Sequence, residues 1–348
     1  MKIGNRKIGI NNQVFIIAEL SANHNGDLET ALQTIKAAKR AGADCIKLQT
    51  YTPDTMTINS QKKDFIIQGT IWEGRNLYNL YEEAYTPWEW HKTLFEAAAE
   101  EGLVCFSSPF DKTAVDFLED LNAPAYKIAS FEITDIPLIE YVASKGKPVI
   151  ISTGIAGKED IELALDACHR MGNEDIALLK CTSSYPAPIE EANMIMIGDL
   201  AERFNVISGL SDHTLGNTVP IVATSLGAKI IEKHFILDKS IGGPDASFSL
   251  DEREFTEMVK AVREAEKAIG KVDYNLTDKQ KKGKDFSRSL YVVEDISEGE
   301  ILTETNIKSI RPGFGMHPKF FSAVLGKKVS QDIEKGTRLS FEFLKDNE

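Results

Sequence analysis

Two histidines stand where a catalytic site would place them. His213 lies in Ser211-Asp212-His213-Thr214, at the end of the apolar run Val206–Leu210. His234 lies in Glu232-Lys233-His234-Phe235, at the end of the run Lys229–Ile231. Imidazoles at the ends of two neighbouring strands can share one metal ion. With only two imidazoles, oxygen ligands and water must fill the rest of the sphere. The pattern therefore predicts an open site for Mn²⁺ or Mg²⁺, with Co²⁺ as a further option, and not a closed structural zinc. Lys47 and Lys127, with Ser130, Ser152, Ser183 and Ser211, end other short apolar runs. Lysine is a point charge suited to phosphate or carboxylate, and hydroxyls add donors. This set predicts a phosphorylated substrate. Glu19 and Asp245 are expected to bind hydroxyls of a ligand or to act as acid and base.

These residues need a scaffold that gathers strand ends. Short β-branched runs alternate with helical patterns about eight times, and each run closes in polar residues. That design predicts an α/β fold, a (β/α)₈ TIM barrel whose chemistry sits at the C-terminal strand ends. The expected strands are 14–18 (then Glu19), 45–48 (then Gln49), 104–106 (then Ser107 and Ser108), 125–128 (then Ser130 and Glu132), 149–151 (then Ser152), 177–180 (then Ser183 and Tyr185), 206–210 and 229–231. Helices are expected over 28–41, 88–101, 112–121, 158–171, 217–226 and 251–269. A long aromatic and polar insertion, Tyr51 to Pro87, carries Trp72, Tyr78, Tyr81 and Tyr85. Loops of that length are functional or disordered, and the aromatic content predicts a lid over a ligand.

At 348 residues the chain can hold a barrel of about 250 residues and a small second domain. The expected division is a barrel over 1–269, a polar, lysine-rich linker over 270–285 and a small β-rich domain over 286–348. The last part contains an internal repeat. Val292, Asp295, Ile296, Gly299 and Leu302 recur thirty-seven positions later as Val329, Asp332, Ile333, Gly336 and Leu339, which predicts two similar halves related by a pseudo-twofold axis. A net charge of −13 argues against a nucleic-acid partner. Four widely spaced cysteines, no signal-peptide pattern and no apolar stretch of membrane length predict a reduced cytoplasmic protein with no membrane partner.

Read together, several stretches resemble the sialic acid synthases: Ile17-Ala18-Glu19-Leu20-Ser21-Ala22-Asn23-His24-Asn25-Gly26, Lys47-Leu48-Gln49-Thr50, Ser107-Ser108-Pro109-Phe110, Tyr126-Lys127-Ile128-Ala129-Ser130, the two histidine motifs and Gly243-Pro244-Asp245. The C-terminal repeat, with Arg311-Pro312-Gly313, resembles their antifreeze-like (SAF) domain. Glu19-Leu20-Ser21-Ala22-Asn23 and the segments Thr70–Tyr78 and Tyr85–Trp90 look like the pseudaminic acid synthase branch, while Ser183 stands where sialate synthases tend to carry asparagine. The resemblance implies a transferase that condenses phosphoenolpyruvate with an amino sugar, 2,4-diacetamido-2,4,6-trideoxy-L-altrose, and water. The products are a nine-carbon acid and phosphate, released by C–O cleavage. It implies catalytic roles for Glu19, His213 and His234, with both histidines on the metal. It places Lys47, Gln49, Ser108, Lys127, Ser130, Glu132, Ser152, Ser183, Tyr185, Ser211, Asp245 and Arg311 on the substrates. It also implies a domain-swapped homodimer in which Arg311 faces the sugar's N-acyl group. The competing expectations are an N-acetylneuraminate or legionaminate synthase and, outside enzymes, a carbohydrate- or ice-binding module on an inactive barrel.

Overall fold

Alternation of side chains builds the scaffold. Eight parallel strands close into a barrel: β1 (Phe15–Glu19), β2 (Cys45–Thr50), β3 (Val104–Pro109), β4 (Tyr126–Ile128), β5 (Val149–Ser152), β6 (Ile176–Cys181), β7 (Ile207–Asp212) and β8 (Ile230–His234), with β8 pairing back onto β1. Successive residues on a strand point to opposite faces. Ile17, Cys45, Phe106, Ala125, Ile150, Leu179 and Ile230 fill the barrel interior together with Ile3 and Ile8. Ile3 belongs to a short N-terminal hairpin, Lys2–Ile3 with Arg6–Lys7. The outward residues Ile16, Ile46, Leu48, Leu210 and Ile231 pack under one set of helices, and Tyr126, Ile128, Ile151 and Leu178 under another. The computed structural model describes residues 1–345. Residues 346–348, the end of the expected 286–348 domain, lie outside the described part.

Several strands extend past their apolar runs. β2 continues through Gln49 to Thr50, β3 through Ser108 to Pro109, and β8 through Glu232 and Lys233 to His234. Hydrophobicity stops where the site begins, but the backbone ladder continues because the polar residues are also largely buried, Glu232 inside the mouth and Lys233 under the helices. Three further helices of eight residues or more accompany those expected among the described residues: Leu77–Ala84, Ile136–Ala143 and Met196–Phe204. The first lies within the long insertion. Its N-cap, Asn76, accepts from the amides of Tyr78 and Asn79 and donates from Nδ2 to the Ser60 carbonyl at 2.7 Å, so one side chain starts the helix and pins the preceding loop.

The chain divides into two compact units, Met1–Gly270 and Lys271–Glu348. The lysine-rich stretch is not a bare linker. Thr277 and Gln280 form a capping box that starts a short helix, Asp278–Gly283. In the second unit the strands β9 (Ser289–Val292) and β10 (Ile307–Ile310) pair antiparallel. The repeat is visible in its hydrogen bonds. The amides of Ile296 and Ile333 donate to each other's carbonyls, Gly299 N donates to Val329 O as Gly336 N does to Val292 O, and Asp295 accepts from Lys335 N as Asp332 accepts from Glu298 N. Val292, Ile296, Leu302, Val329, Ile333 and Leu339 from both halves share one core.

Candidate active site

Interior positions near the strand ends form one polar layer above the apolar plug. Glu19, Lys47, Ser108, Lys127, Ser152, Ser211 and Glu232 are all buried there, and they face one another because each falls in the same two-residue phase as the apolar residue beneath it. Lys47 Nζ lies 2.6 Å from Glu19 Oε2 and 3.7 Å from Glu232 Oε1. Lys127 Nζ lies 2.9 Å from the same Glu232 oxygen. The Ser211 hydroxyl donates to that oxygen at 3.1 Å, and Lys47 donates to Ser108 Oγ at 3.3 Å. Two lysines thus share one carboxylate in a site closed to water on the protein side.

Burial and charge set the protonation of this layer. Burial pushes the Glu19 carboxyl above the ordinary carboxylate range. Lys47 opposes that push and the Glu232 charge adds to it. Burial pushes Glu232 the same way, but Lys127 and Lys47 outweigh it and hold its carboxyl below the usual range. Burial lowers the Lys127 ammonium, and Glu232 only partly restores it.

The histidines sit just above this layer. Their ring centroids are 5.4 Å apart. His213 Nδ1–H donates to the Thr182 carbonyl at 2.9 Å, so in the neutral ring Nε2 carries the lone pair. Burial lowers the His213 imidazolium, but Cys181 beside Nδ1 outweighs it and raises it. His234 Nδ1 is buried without a hydrogen-bond partner and lies 3.8 Å from Asp245 Oδ2. Burial, then the neighbouring His213, holds the His234 imidazolium well below its usual range, so the ring is neutral, as a metal ligand must be. Among the described residues no group of three His, Cys, Asp or Glu side chains converges on one point. The side chains there that could offer donors to an ion are the two imidazoles, with Asp245 beside one of them.

The remaining expected residues fall into two places. Ser183 Oγ donates to Ser130 Oγ at 2.9 Å, and both crowd Gly154, where an added Cβ would come within 2.1 and 2.4 Å of them. Only glycine lets the backbone after β5 approach so closely. Gln49, Glu132, Tyr185, His234 and Asp245, together with Ser130, line a cavity of about 420 Å³. Its far wall comes from the insertion, through Met56, Ile67, Trp72, Leu77, Leu80 and Tyr81, with Phe110, Phe131 and Phe248. Trp72 Nε1–H donates to Pro244 O at 3.1 Å, which ties the insertion to the loop bearing Asp245. Gln49 Nε2 donates to Glu19 Oε1 and to Ser21 Oγ, both at 3.0 Å, and Ser21 donates to Asp245 Oδ2 at 2.5 Å. This chain joins the lysine layer to the cavity. Glu19 sits low in that chain beside Lys47, whereas Asp245 sits high beside His234. The two carboxylates expected to act alike thus occupy different levels. Arg311 is exposed on the second unit.

Asn23 Oδ1, Glu132 Oε2, Ser152 Oγ, Glu232 Oε2 and His234 Nδ1 are buried among the described residues without a hydrogen-bond partner, and Glu19 Oε2 has only the Lys47 ammonium, at 2.6 Å. All lie at or just beyond the C-terminal ends of barrel strands. Buried polar atoms are normally paired, so this concentration marks where ligand atoms complete the set. Sequence reasoning missed Glu232, which is the hub of the lysine layer. The signal was available, because Glu232 is two residues before His234 and so shares its face of the strand.

The NeuB family model matches residues 34–274, and the SAF domain model matches residues 287–345. A pseudaminic acid synthase of Campylobacter jejuni is 54% identical over 339 residues, 97% of this chain and 98% of that protein. An N,N'-diacetyllegionaminic acid synthase of Legionella pneumophila is 35% identical over 351 residues, 98% of this chain and 99% of that protein. The solved structure of the spore coat polysaccharide biosynthesis protein spsE from Bacillus subtilis is 33% identical, with a TM-score of 0.68 over 100% of this chain and 99% of that one.

Proposed function

The chain belongs to the NeuB family, and from that premise we propose that it makes pseudaminic acid, by condensing phosphoenolpyruvate with 2,4-diacetamido-2,4,6-trideoxy-L-altrose and water. The observation that carries the chemistry is the buried layer in which Lys47 and Lys127 share Glu232 beside two imidazoles. The choice of sugar is supported by the greater likeness to the pseudaminic acid synthase than to the legionaminic acid synthase. It is supported also by the mixed wall of the cavity, where apolar side chains suit a deoxy sugar's methyl group. Glu132, Gln49 and Asp245 offer partners for its acetamido and hydroxyl groups.

Phosphoenolpyruvate is a small, highly charged anion. Lys47 and Lys127 receive its phosphate and carboxylate, with Ser108, Ser130, Ser152, Ser183 and Ser211 as further donors. The unpartnered Ser152 hydroxyl finds its partner there. Asp245 and Gln49 orient the open-chain sugar so that its aldehyde carbon faces C3 of phosphoenolpyruvate. His213 and His234 would hold a divalent ion, Mn²⁺ or Mg²⁺ with Co²⁺ as a further option, which when bound would supply Lewis-acid polarisation of the aldehyde. As the C–C bond forms, positive charge develops at C2, and the buried Glu232 carboxylate, held ionised by Lys127 and Lys47, lies in the same layer to offset it. Glu19, raised by burial, can give a proton to the aldehyde oxygen and take one back from the water that adds at C2. The tetrahedral adduct then expels phosphate with the bridging oxygen. The protein's contribution is positioning and a preorganised field.

Arg311 meets the sugar's N-acyl group in the site of a second copy, within a homodimer whose C-terminal units are exchanged. The exposed stretch 267–288 and the exposure of Arg311 support this arrangement. No helix among the described residues is long and apolar enough to cross a membrane, and all four cysteines are buried and unpaired, which supports a reducing, cytoplasmic setting. The test supplies phosphoenolpyruvate labelled with heavy oxygen at the bridging position, together with the sugar and Mn²⁺. Labelled phosphate is expected. Label retained in the sugar acid would mean P–O cleavage, and no phosphate release with any amino sugar would overturn the reading.

A further inference from the structure

One fully buried ion pair near the histidines lies outside the polar layer. Ile230, Glu232 and His234 face into the barrel, so Lys233 faces out, under the helices. Its side chain is wholly buried, as is that of Asp212. The two residues are direct cross-strand partners on β7 and β8, and Lys233 Nζ lies 2.5 Å from Asp212 Oδ2. The same ammonium donates to the Thr214 carbonyl at 2.5 Å. Asp212 uses its other oxygen on the same corner, accepting from Thr214 N at 2.9 Å and from Thr214 Oγ1 at 2.8 Å. His213 is thus the middle residue of a three-residue corner held on both sides, and the holder is the residue immediately before His234.

We propose that Lys233 is a positioning residue that sets the spacing of the two histidines from the outer face of the barrel. The covalent chain ties Lys233 to His234, and its two bonds tie it to both neighbours of His213. A single buried cation therefore couples the ends of β7 and β8 to each other. It touches neither substrate nor ion. A strand end is where a parallel ladder loses its next hydrogen bond. Without this tie the Asp212–Thr214 corner would keep its internal bonds and the bonds of His213 to Thr182 O and Ala187 N. The latter two are directed toward the β6 side, and none of these bonds joins the corner to the end of β8. The proposal rests on the reading that His213 and His234 hold one divalent ion.

The test measures Mn²⁺ binding directly, through the paramagnetic signal of the free ion, so that activity is not the readout. Removing the lysine alone would strand a buried carboxylate, which is strongly destabilising. The main variant is therefore the double substitution Lys233→Met with Asp212→Asn, which removes both charges at nearly constant volume. The amide oxygen of the new side chain can still accept from Thr214 N. With thermal unfolding confirming a folded protein, the dissociation constant for Mn²⁺ should rise by about tenfold or more, as is usual when residues supporting metal ligands are lost. KM for phosphoenolpyruvate should stay within about twofold while kcat falls, because Lys47 and Lys127 are untouched. A folded double variant that binds Mn²⁺ like the parent overturns the proposal. If the double variant does not fold, Lys233→Gln with Asp212→Asn, which likewise leaves no unpaired buried charge, serves in its place. Its amide can still reach toward Thr214 O, so it should weaken Mn²⁺ binding by about threefold, and unchanged binding overturns the proposal. His213→Ala is the control for the underlying reading. If it binds Mn²⁺ as the parent does, the metal assignment itself falls, and the positioning role with it.

Discussion

The floor of the site and its wall are built by different means. The floor, with Lys47, Lys127, Glu19 and Glu232, stands on barrel strands, is fully buried, and has most of its charges paired within 4 Å. The wall stands on the insertion between β2 and the helix Trp88–Glu100. It is largely aromatic and aliphatic, and one hydrogen bond from Trp72 ties it to the Asp245 loop. A strand end cannot move without breaking the barrel, so the floor suits chemistry in which a small misplacement is costly. A loop can change its side chains without touching the barrel, so the wall suits the choice of sugar. If this division holds, damage to the floor should abolish turnover with every sugar, whereas damage to the wall should change which sugar is used.

The largest effect should come from the imidazoles beside the floor. His213→Ala, or removal of divalent ions by a chelator, should leave a folded barrel with no measurable phosphate release. Adding Mn²⁺ should restore the chelated parent but not the variant, and full activity of the variant in chelator would break the comparison at its base. Lys127→Met should follow. It removes one of two anion-binding charges and should lower kcat/KM for phosphoenolpyruvate by at least about a hundredfold, equally for every sugar offered. A loss confined to one sugar would place Lys127 in the wall's domain of influence and not in the floor's.

How much of this contrast was legible in the sequence differs between the two regions. The floor was largely legible. Short runs that end in lysine, serine or histidine are a direct signature of barrel strand ends, and both lysines and both histidines follow from it. Glu232 escaped because strand ends were read where hydrophobicity stops, before the buried charged residues that continue β8. The wall was legible only as a long aromatic segment. Its helix, Leu77–Ala84, buries only Leu80 fully, because its remaining apolar residues face a cavity. The usual helical stripe against a core is therefore weak. Ile136–Ala143 escaped for the opposite reason. It is so apolar, with Leu138, Ile139, Val142 and Ala143 all buried, that no polar face marks its period. The repeat of the second unit was legible throughout, because each half must supply the same core residues.

Smaller effects should separate the wall from the floor. Trp72→Phe keeps an aromatic ring beside Tyr185 and Phe248 but removes the donor to Pro244 O. One hydrogen bond is worth about 1 kcal/mol net, so kcat/KM for the sugar should fall by roughly fivefold with KM for phosphoenolpyruvate unchanged. A larger change in the latter would mean that the wall and floor are coupled. Glu132 gives the subtlest test. Burial pushes its carboxyl up to about 7, so it is mostly protonated below that pH and mostly ionised above it. A bound neutral sugar displaces water from the cavity and disfavours the charge further, so the sugar should bind the protonated form better. KM for the sugar should therefore rise as pH increases through about 7, and Glu132→Gln should flatten that rise. A variant with the parent's pH profile would exclude Glu132 from the sugar site.

The central claim is that this wall, above this floor, selects a diacetamido trideoxy sugar. It is tested most directly by kcat/KM for 2,4-diacetamido-2,4,6-trideoxy-L-altrose against N-acetylmannosamine, at saturating phosphoenolpyruvate and Mn²⁺. One methyl contact discriminates by only about 10–200-fold, and an unpaired buried polar group by more. The account predicts a preference for the trideoxy sugar of at least about a hundredfold. Equal values for the two sugars, or a preference for N-acetylmannosamine, would contradict it.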